Sequence, residues 1–255
     1  MLVAAFLCFL TGIAAGLIGV GGGEFRIPIL IYVLGLPVFN AVAINLSVGL
    51  LTVVASFFRR LHIEPLGMHC LSLVLIMSFA SVVGAIIGAS LTGRIPEKPL
   101  KKFLILFLIS VGLKIGLEPF VKIDPVIGFT LNFFEELALA GLVGLLIGII
   151  SGLFGVAGGE FRIPVFIYIF GLDIVTAGTA SLLVSIPTVA SGFLRHRRLG
   201  NFDGTSLRIP IILGLSSVFG ALCGASFLEV VGKETLKVLL AFILILATVR
   251  MITKP

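Results

Sequence analysis

Apolar residues run along the chain in long blocks, which are separated by short polar or glycine-rich stretches. A helix that crosses a bilayer needs about 20 mainly apolar residues, because the hydrocarbon core is about 30 Å thick. We predict a full membrane crossing for each block that approaches this length. These blocks are Leu2–Ile18, Val38–Phe58, Gly67–Leu91, Phe103–Leu117, Leu137–Ser151, Ile174–Leu194, Leu207–Leu228 and Leu236–Met251.

Two shorter apolar blocks, Phe25–Leu34 and Phe161–Phe170, each follow a cluster of glycines. A helix rises about 1.5 Å per residue, so each block reaches only about halfway across a bilayer. We predict two half-helices or re-entrant segments. They should begin near Phe25 and Phe161, because a proline three residues later still falls in the first helical turn.

The chain contains one unit twice. The stretch from Gly19 to Pro28 recurs almost unchanged from Gly155 to Pro164, and the same offset aligns Arg59 with Arg195. Self-similarity at a constant offset indicates a duplicated architecture. We therefore predict repeat 1 at residues 1–119, a linker at 120–136 and repeat 2 at 137–255, each repeat with about four spanning helices and one half-helix.

Composition supports an all-α integral membrane protein. Of the 255 residues, 59% are hydrophobic and 12% are charged, against roughly 25% charged residues in an ordinary soluble domain. The net charge of +6 comes from short loops between apolar blocks. We interpret these basic residues as orientation signals and not as a surface for nucleic acid.

Cysteine and histidine offer no further chemistry. The three cysteines do not align across the repeat and are expected to be small buried hydrophobic residues, with no disulfide or metal spacing. His62 and His196 fall in basic loops, where exposure or an interfacial position is expected. No nucleophile, base and orienting group can be assigned, so we expect neither an enzyme nor a cofactor.

The basic loops at Arg59–His62 and Arg195–Arg198 occupy equivalent positions in the two repeats. If each repeat crosses an even number of times, both loops lie on the same side of the membrane. If each half-helix adds a crossing, the repeats are inverted and the loops face opposite sides. Loop charge favours the first arrangement, whereas the architecture of known secondary transporters favours the second.

The glycine stretches are the candidate functional site. A chain break inside the membrane frees backbone N–H and C=O groups, and each costs several kcal/mol unless it meets protein, water or a ligand. The half-helices would direct their N-termini, which carry about half a positive charge, at these glycines. Because an arginine fork also matches a carboxylate, sulfonate or sulfite, the pattern favours an anion.

The candidate substrate-binding residues include the glycines, the two arginines and polar residues of the next span. They are Gly21, Gly22, Gly23, Arg26, Asn45, Ser47, Gly158, Gly159, Arg162, Thr179 and Ser181. Glu24 and Glu160 leave three alternatives open: a structural Glu–Arg network, an interfacial position of the charges, or a buried carboxyl that carries a coupling proton.

These features resemble the sulfite exporter TauE/SafE family, also called the toluene-sulfonate uptake permease family. The resemblance covers nearly the whole chain and rests on two glycine-rich stretches, each followed by a proline. Its residues are Gly19, Gly21, Gly22, Gly23 and Pro28, and then Gly155, Gly158, Gly159 and Pro164. Ala157 replaces the middle glycine of the second copy, so the two half-sites need not be equivalent.

The resemblance implies transport of small sulfur-containing anions, such as sulfite, sulfonates or sulfoacetate, across the cytoplasmic membrane. A secondary carrier is the favoured mechanism, with substrate near the midplane between the repeats. A passive anion channel, a permease for another small organic anion and a non-transporting scaffold are the alternatives. The expected partners are the substrate, the lipid bilayer, a possible coupling proton and a possible second copy of the chain.

Overall fold

The structure is a computed structural model, which describes residues 1–63, 65–92, 113, 132–200 and 207–253. The secondary structure of these residues is helical. Its helices are α1 Leu2–Ile18, α2 Gly23–Pro28, α3 Val38–Ile63, α4 Met68–Leu91, α5 Phe133–Phe154, α6 Gly159–Tyr168, α7 Ile174–Arg198, α8 Arg208–Ser226 and α9 Lys233–Thr253. A π-helical segment, Ile29–Val33, extends α2, and a 3-10 turn, Phe227–Glu229, extends α8.

The predicted all-α membrane fold is confirmed. By length and hydropathy, five segments of the described chain can cross a membrane, and these are Val38–Ile63, Cys70–Leu91, Phe133–Phe154, Ile174–Arg198 and Arg208–Glu229. Large apolar side chains such as Phe79 and Phe219 project outward, as expected for a surface covered by lipid. Apart from Leu113, the predicted span Phe103–Leu117 lies outside the described residues, as does the predicted linker up to residue 131.

Several helix ends differ from the prediction. α3 and α7 continue beyond Phe58 and Leu194 into the basic residues, because lysine and arginine are good helix formers and end an apolar block without ending a helix. α5 begins at Phe133, before the expected Leu137, because Asn132 and Glu135 form a capping box. The half-helices begin two residues early, at Gly23 and Gly159.

α1 and the α2 segment form a helical hairpin. The chain turns at Gly19, which ends α1 in the left-handed region with φ of 96°, a conformation that glycine adopts without strain. A Cβ on Gly22 would lie 2.9 Å from the carbonyl oxygen of Thr11, and Leu30 shares an apolar cluster with Ala4. The α2 segment therefore returns beside α1, as predicted for a half-helix.

Glycines bring two pairs of helices into backbone contact. A Cβ on Gly12 or Gly16 of α1 would collide with the carbonyl oxygens of Ser217 and Ala221 in α8, respectively. The equivalent glycines of α5, Gly148 and Gly152, meet Ser81 and Ala85 of α4 in the same way. Residue numbers rise together along both pairs, so the helices are parallel. Small residues at such spacing permit close packing of membrane helices.

The equivalent helices α3 and α7 are antiparallel. A Cβ on Gly192 would lie 3.7 Å from Leu46, and one on Gly49 would lie 4.0 Å from Val189. At the far end of α3, Arg60 donates to the carbonyl oxygen of Val175 at the start of α7. Residue numbers therefore decrease along α7 in the direction in which they increase along α3. α3 and α7 occupy equivalent places in the two repeats. Because they are antiparallel, the two repeats have opposite orientations in the membrane.

The directions of the remaining helices follow from the same contacts. α8 runs parallel to α3, because Leu51 contacts Gly214 and Arg59 donates to Ser226. We call the end of the bundle at which α1, α3 and α8 begin the first end, and the opposite end the second end. α4, α5 and α7 begin at the second end, and Lys233 of α9 pairs there with Asp173.

Candidate functional site

The two glycine breaks contact each other in the middle of the protein. A Cβ on Gly159 would lie 2.6 Å from the carbonyl oxygen of Val20, and one on Gly21 would lie 2.6 Å from the Ala157 methyl group. The positions of Gly21 and Ala157 are equivalent, and there is space for only one side chain between them. The departure of Ala157 from the repeated pattern therefore fits the asymmetric contact that the two breaks make.

Arg26 of the first repeat is buried and extensively hydrogen bonded. Nε donates to Oδ1 of Asn45 at 3.1 Å, and Nη1 donates to Thr52 Oγ1 at 2.8 Å and to Ser217 Oγ at 2.9 Å. Nη2 donates to the carbonyl oxygen of Gly21 at 2.6 Å. A guanidinium has five N–H donors, so nearly all of them bind protein atoms here. Arg26 ties α2 to α3, to α8 and to the glycine break.

Arg162, the equivalent residue of the second repeat, is equally buried but makes far fewer hydrogen bonds. Nη1 donates to Ser185 Oγ at 2.6 Å. Within the described part of the chain, Nε and Nη2 have no hydrogen-bond partner, and neither has the buried hydroxyl of Ser181. A buried donor without a partner costs about 1–3 kcal/mol, and more when it is charged. These buried polar groups are therefore available to form hydrogen bonds with a ligand.

Two sequence differences between the repeats account for this asymmetry. Asn45, which accepts from Nε of Arg26, is replaced by Ser181, whose shorter side chain leaves Nε of Arg162 without an acceptor. Gly49 is replaced by Ser185, which draws Nη1 of Arg162 to its own hydroxyl. Thr188 donates to the carbonyl oxygen of Val184, as its equivalent Thr52 does to that of Val48, but only Thr52 of the two accepts from the arginine of its own repeat among the described residues.

The N-terminus of α6 lies beside the Arg162 guanidinium. Gly158 is the N-cap of this helix with φ of 78°, and a Cβ there would lie 3.4 Å from Nη2 of Arg162. The first N–H groups of a helix have no intrahelical acceptor and carry the positive end of its dipole. Arg162 and the first turn of α6 thus bring N–H donors together beside the carboxylate of Glu160, which belongs to the same turn.

The acidic residues lie in the first turns of the half-helices. Glu160 in α6 is only 3% exposed, and its Oε2 has no hydrogen-bond partner among the described residues. Glu24 in α2 is partly buried. In the described part of the chain, the side-chain hydrogen bonds of both arginines go to neutral oxygen atoms, so these arginines are held by hydroxyl, amide and carbonyl groups.

The glycine stretches and their arginines can now be compared with known proteins. The profile of a family described as "Sulfite exporter TauE/SafE" matches residues 1–115 and 140–255. The chain belongs to this family. The two matched segments also agree with the duplicated architecture of the fold.

Relatives of this TauE/SafE protein carry transporter names. It is 27% identical to "Probable membrane transporter protein ORF9" of Sinorhizobium sp., over 100% of this chain and 92% of the relative. It is 28% identical to "Probable membrane transporter protein YdhB" of Bacillus subtilis, over 90% and 91% of the two chains. No solved structure matches the chain. The protein is a multi-pass membrane transporter.

The other candidate residues of this TauE/SafE protein divide among three places. Asn45 binds both breaks, since its Nδ2 donates to the carbonyl oxygen of Gly155 at 2.6 Å. Gly23 lies beside it, where a Cβ would be 2.9 Å from Nδ2. Thr179 lies elsewhere and accepts from Arg60 at 3.2 Å. Ser47 lines a separate cavity at the first end. The structure does not gather all candidates into one site.

The sequence pattern predicts Arg60 and His196 in basic loops, with His196 exposed or interfacial, and this prediction is wrong, because both are buried in helices. Arg60 is fully buried and donates to the carbonyl oxygens of Gly16 and Leu17 at the end of α1. His196, its equivalent, is also buried, and its Nε2 contacts the carbonyl oxygen of Gly152 at 3.0 Å. Both residues bind carbonyl groups in the last turn of a helix, where these groups have no hydrogen-bond partner within the helix. Each of these helix ends adjoins a glycine break. The alignment of Arg60 with His196 across the repeat was the sequence feature that could have indicated their shared role.

The expectation for the cysteines was correct for two of the three. Cys8 and Cys70 are buried, but Cys223 is exposed on α8, on a surface that a bilayer would cover. The hydrogen-bonding roles of Ser185 and Ser217 were not predicted. Ser217 aligns with Ser81 in the small-residue face of α4, so its sequence pattern indicated packing alone.

Proposed function

We propose that this protein is a secondary transporter that exports small sulfur-containing anions, such as sulfite, sulfonates or sulfoacetate, across the cytoplasmic membrane. The observation that carries the proposal is the Arg162 guanidinium, which is buried at the N-terminus of α6. Two of its nitrogen atoms donate no hydrogen bond to any described group. An oxyanion of sulfur offers planar pairs of acceptors that suit an arginine fork.

The position of Arg162 supports a transport site. Substrate sites of secondary transporters with inverted repeats lie near the midplane, where the repeats meet and helices are interrupted. Gly158 precedes Arg162 in the break that contacts repeat 1 through Val20 and Gly21. The backbone N–H group of Gly159, at the N-terminus of α6, is a further donor of the proposed site. Arg26 has a structural role in this proposal, because its donors are already bound.

Exchange in proteoliposomes tests the proposed function. Vesicles loaded with sulfoacetate are mixed with labelled sulfite, sulfoacetate or taurine outside, and uptake is followed against protein-free vesicles. A carrier gives saturable uptake that internal substrate accelerates. Conductance without such acceleration indicates a channel, and the absence of flux for every sulfur anion would refute the proposed substrate class.

A further inference from the structure

In the part of the chain that the structure describes, more basic residues lie at the first end of the bundle than at the second. α7 and α9 end at the first end, and α8 begins there. The described basic residues at these helix ends are Arg195, Arg197, Arg198, Arg208 and Arg250. The described basic residues of the second end are Arg59, Arg60, Lys233 and Lys237.

This distribution assigns the sides of the membrane. Cytoplasmic loops carry an excess of lysine and arginine near the ends of membrane helices. Arg60, one of the basic residues of the second end, is buried and bound to carbonyl groups, so the excess of exposed positive charge at the first end is larger than the sequence suggests. The first end is accordingly the cytoplasmic end.

A cavity of about 500 Å³ opens at the first end between α3, α7 and α8. Its lining residues are Ser47, Leu51, Phe193, Arg197, Leu207, Pro210 and Ile211. This volume lies within the range of about 300–1,000 Å³ that is typical of small-molecule sites. At its inner wall Leu51 contacts Gly214, and the next residue of α3, Thr52, hydrogen bonds with Ser217 and Arg26. The inner wall of the cavity thus lies one residue along α3 from the hydrogen bonds of Arg26.

The chemistry of the lining is amphipathic. Among the described lining residues, Arg197 is charged, Ser47 supplies a hydroxyl, and the others are apolar. An inorganic anion gains little from an apolar wall. An anion with a short hydrocarbon body can place its charged group at Arg197 and its body against Phe193 and Leu51.

The polar side chains that line the cavity are not repeated at the equivalent positions of the other repeat. In the other repeat, the positions equivalent to Ser47 and Arg197 are Leu183 and Leu61, which pack with Phe57 in an apolar cluster. Phe57, the equivalent of Phe193, is 7% exposed. At the equivalent place among the described residues, the second end therefore has neither the cation nor the hydroxyl.

We infer that this cavity is the cytoplasmic entrance of the transport path and binds organic anions that join a sulfonate or carboxylate group to a short apolar body. The inference rests on the proposed function and selects organic over inorganic sulfur anions as substrates. The phosphate of a lipid headgroup offers Arg197 the same chemistry, so the test has to separate the two sources.

Calorimetry on the protein in nanodiscs of phosphatidylcholine tests the binding site, with butane-1-sulfonate and inorganic sulfite as probes. We expect butane-1-sulfonate to bind more tightly than sulfite. Arg197→Gln should weaken its binding about 10-fold, because a charge-assisted hydrogen bond is lost. Arg198→Gln removes the same charge from the neighbouring residue, which does not line the cavity, and should leave binding unchanged. Ser47→Leu should also weaken binding.

Three outcomes would overturn the inference: no binding of butane-1-sulfonate, preference for sulfite, or equal effects of Arg197→Gln and Arg198→Gln. Both lipid and ligand offer an anion to Arg197, so the titration is repeated in dodecyl maltoside without lipid and again after phosphatidylcholine is added; if added phosphatidylcholine abolishes binding of butane-1-sulfonate, a lipid phosphate is the occupant and the inference also fails. Arg162→Ala should abolish transport but keep binding of butane-1-sulfonate. Failure of the proposed function can thus be distinguished from failure of the entrance site.

Sidedness is tested separately in right-side-out and inverted membrane vesicles. Ser47→Cys is introduced into a chain whose three native cysteines are replaced by alanine. A membrane-impermeant maleimide should label Cys at this position from the cytoplasmic side, and butane-1-sulfonate should slow the reaction. Labelling from the outer side would overturn the assignment of the first end.

Discussion

At the scale of residues, the site depends on how two buried arginines are satisfied. Arg26 is held by side-chain and backbone oxygen atoms from α3, α8 and the first glycine break, whereas Arg162 has one such contact. The difference follows from Asn45, which reaches its arginine, and Ser181, which does not. We therefore propose that Arg26 has a structural role and that Arg162, its equivalent in the second repeat, binds a ligand.

Ser181→Asn should convert the second half-site to the character of the first. The amide oxygen would accept from Nε of Arg162, as that of Asn45 does from Arg26, and so compete with a bound anion. We expect saturable exchange in proteoliposomes to fall about 10-fold, because one charge-assisted hydrogen bond to the anion is lost. Ser181→Ala adds no acceptor and is the matched control. Equal exchange in the Asn and Ala variants would contradict the interpretation.

We propose that Glu160 is the residue that couples protons to transport. It is buried in the first turn of α6 with one unpartnered carboxylate oxygen, and a proton would neutralise this charge. Glu160→Gln keeps the shape and removes the charge. We expect exchange of labelled sulfite that no longer responds to an imposed pH difference. Glu229→Gln, outside the site, should retain the wild-type response, and a Glu160→Gln variant with full pH sensitivity would remove this role.

At the scale of elements, glycine-mediated helix pairs and helix caps fix the frame around the site. The sequence predicted a packing face of small residues on α4, and Ser81, Gly84 and Gly88 do contact α5. Ser90, the fourth residue of that face, instead accepts from Arg195. The small-residue spacing identified the packing face, whereas the partner helix depends on the tertiary arrangement and was not predicted.

Gly16→Ala should destabilise the protein by about 1–3 kcal/mol, the usual cost of overpacking. Its Cβ would collide with backbone atoms of Ala221, which cannot rotate away as a side chain could. Gly67→Ala is the control, since nothing lies within 4 Å of its added Cβ. Thermal unfolding in detergent should show a lower Tm for Gly16→Ala only. Equal Tm values in the two variants would exclude the close helix contact.

Asp173 stabilises the start of α7. Its carboxylate accepts from the Val175 N–H at 3.1 Å and pairs with Lys233 at 3.1 Å. Partial burial alone would raise the pKa of Asp173, but hydrogen bonds from Thr176 and Lys233 and the charge of Lys233 lower it below its usual value. A lowered pKa in the folded state means that the ionised carboxylate stabilises the fold.

Asp173→Ala should therefore lower the free energy of unfolding by about 1 kcal/mol at pH 7, the typical value of an N-cap. The contribution is complete above the unfolded pKa of about 3.9 and is lost as the pH falls through the lower folded value. Denaturation of wild type and variant at pH 7 and at about pH 3 measures it. A difference that does not shrink in acid would contradict the role of the charge.

At the scale of the whole molecule, the two repeats are inverted. The sequence predicted the duplication, the half-helices and the glycine breaks, because each leaves a local pattern. It did not decide the relative orientation, since that depends on the antiparallel contact of α3 with α7, where Leu46 meets Gly192 and Arg60 meets Val175. The positions of Arg60 and His196 were wrong for the same reason: burial by a neighbouring helix is not visible in local hydropathy. The repeat limits at residues 119 and 137 stay a prediction.

Inversion makes a specific prediction about the two basic helix ends. Arg59 and Arg195 are equivalent residues but should lie on opposite sides of the membrane, with Arg195 in the cytoplasm. Single cysteines at these positions, in a chain without native cysteines, should react with an impermeant maleimide from opposite sides. Reaction of both from the same side would show that the repeats are parallel.

The central claim is that Arg162 binds the transported anion while Arg26 supports the fold. The most direct measurement is exchange of labelled sulfite and sulfoacetate in proteoliposomes that contain Arg162→Ala, with Tm measured on the same preparation. We expect Arg162→Ala to lose exchange while its Tm stays near the wild-type value, whereas Arg26→Ala lowers Tm because it leaves Asn45, Thr52 and Ser217 without their shared donor. Saturable exchange at the wild-type rate in Arg162→Ala would show that Arg162 does not bind the transported anion.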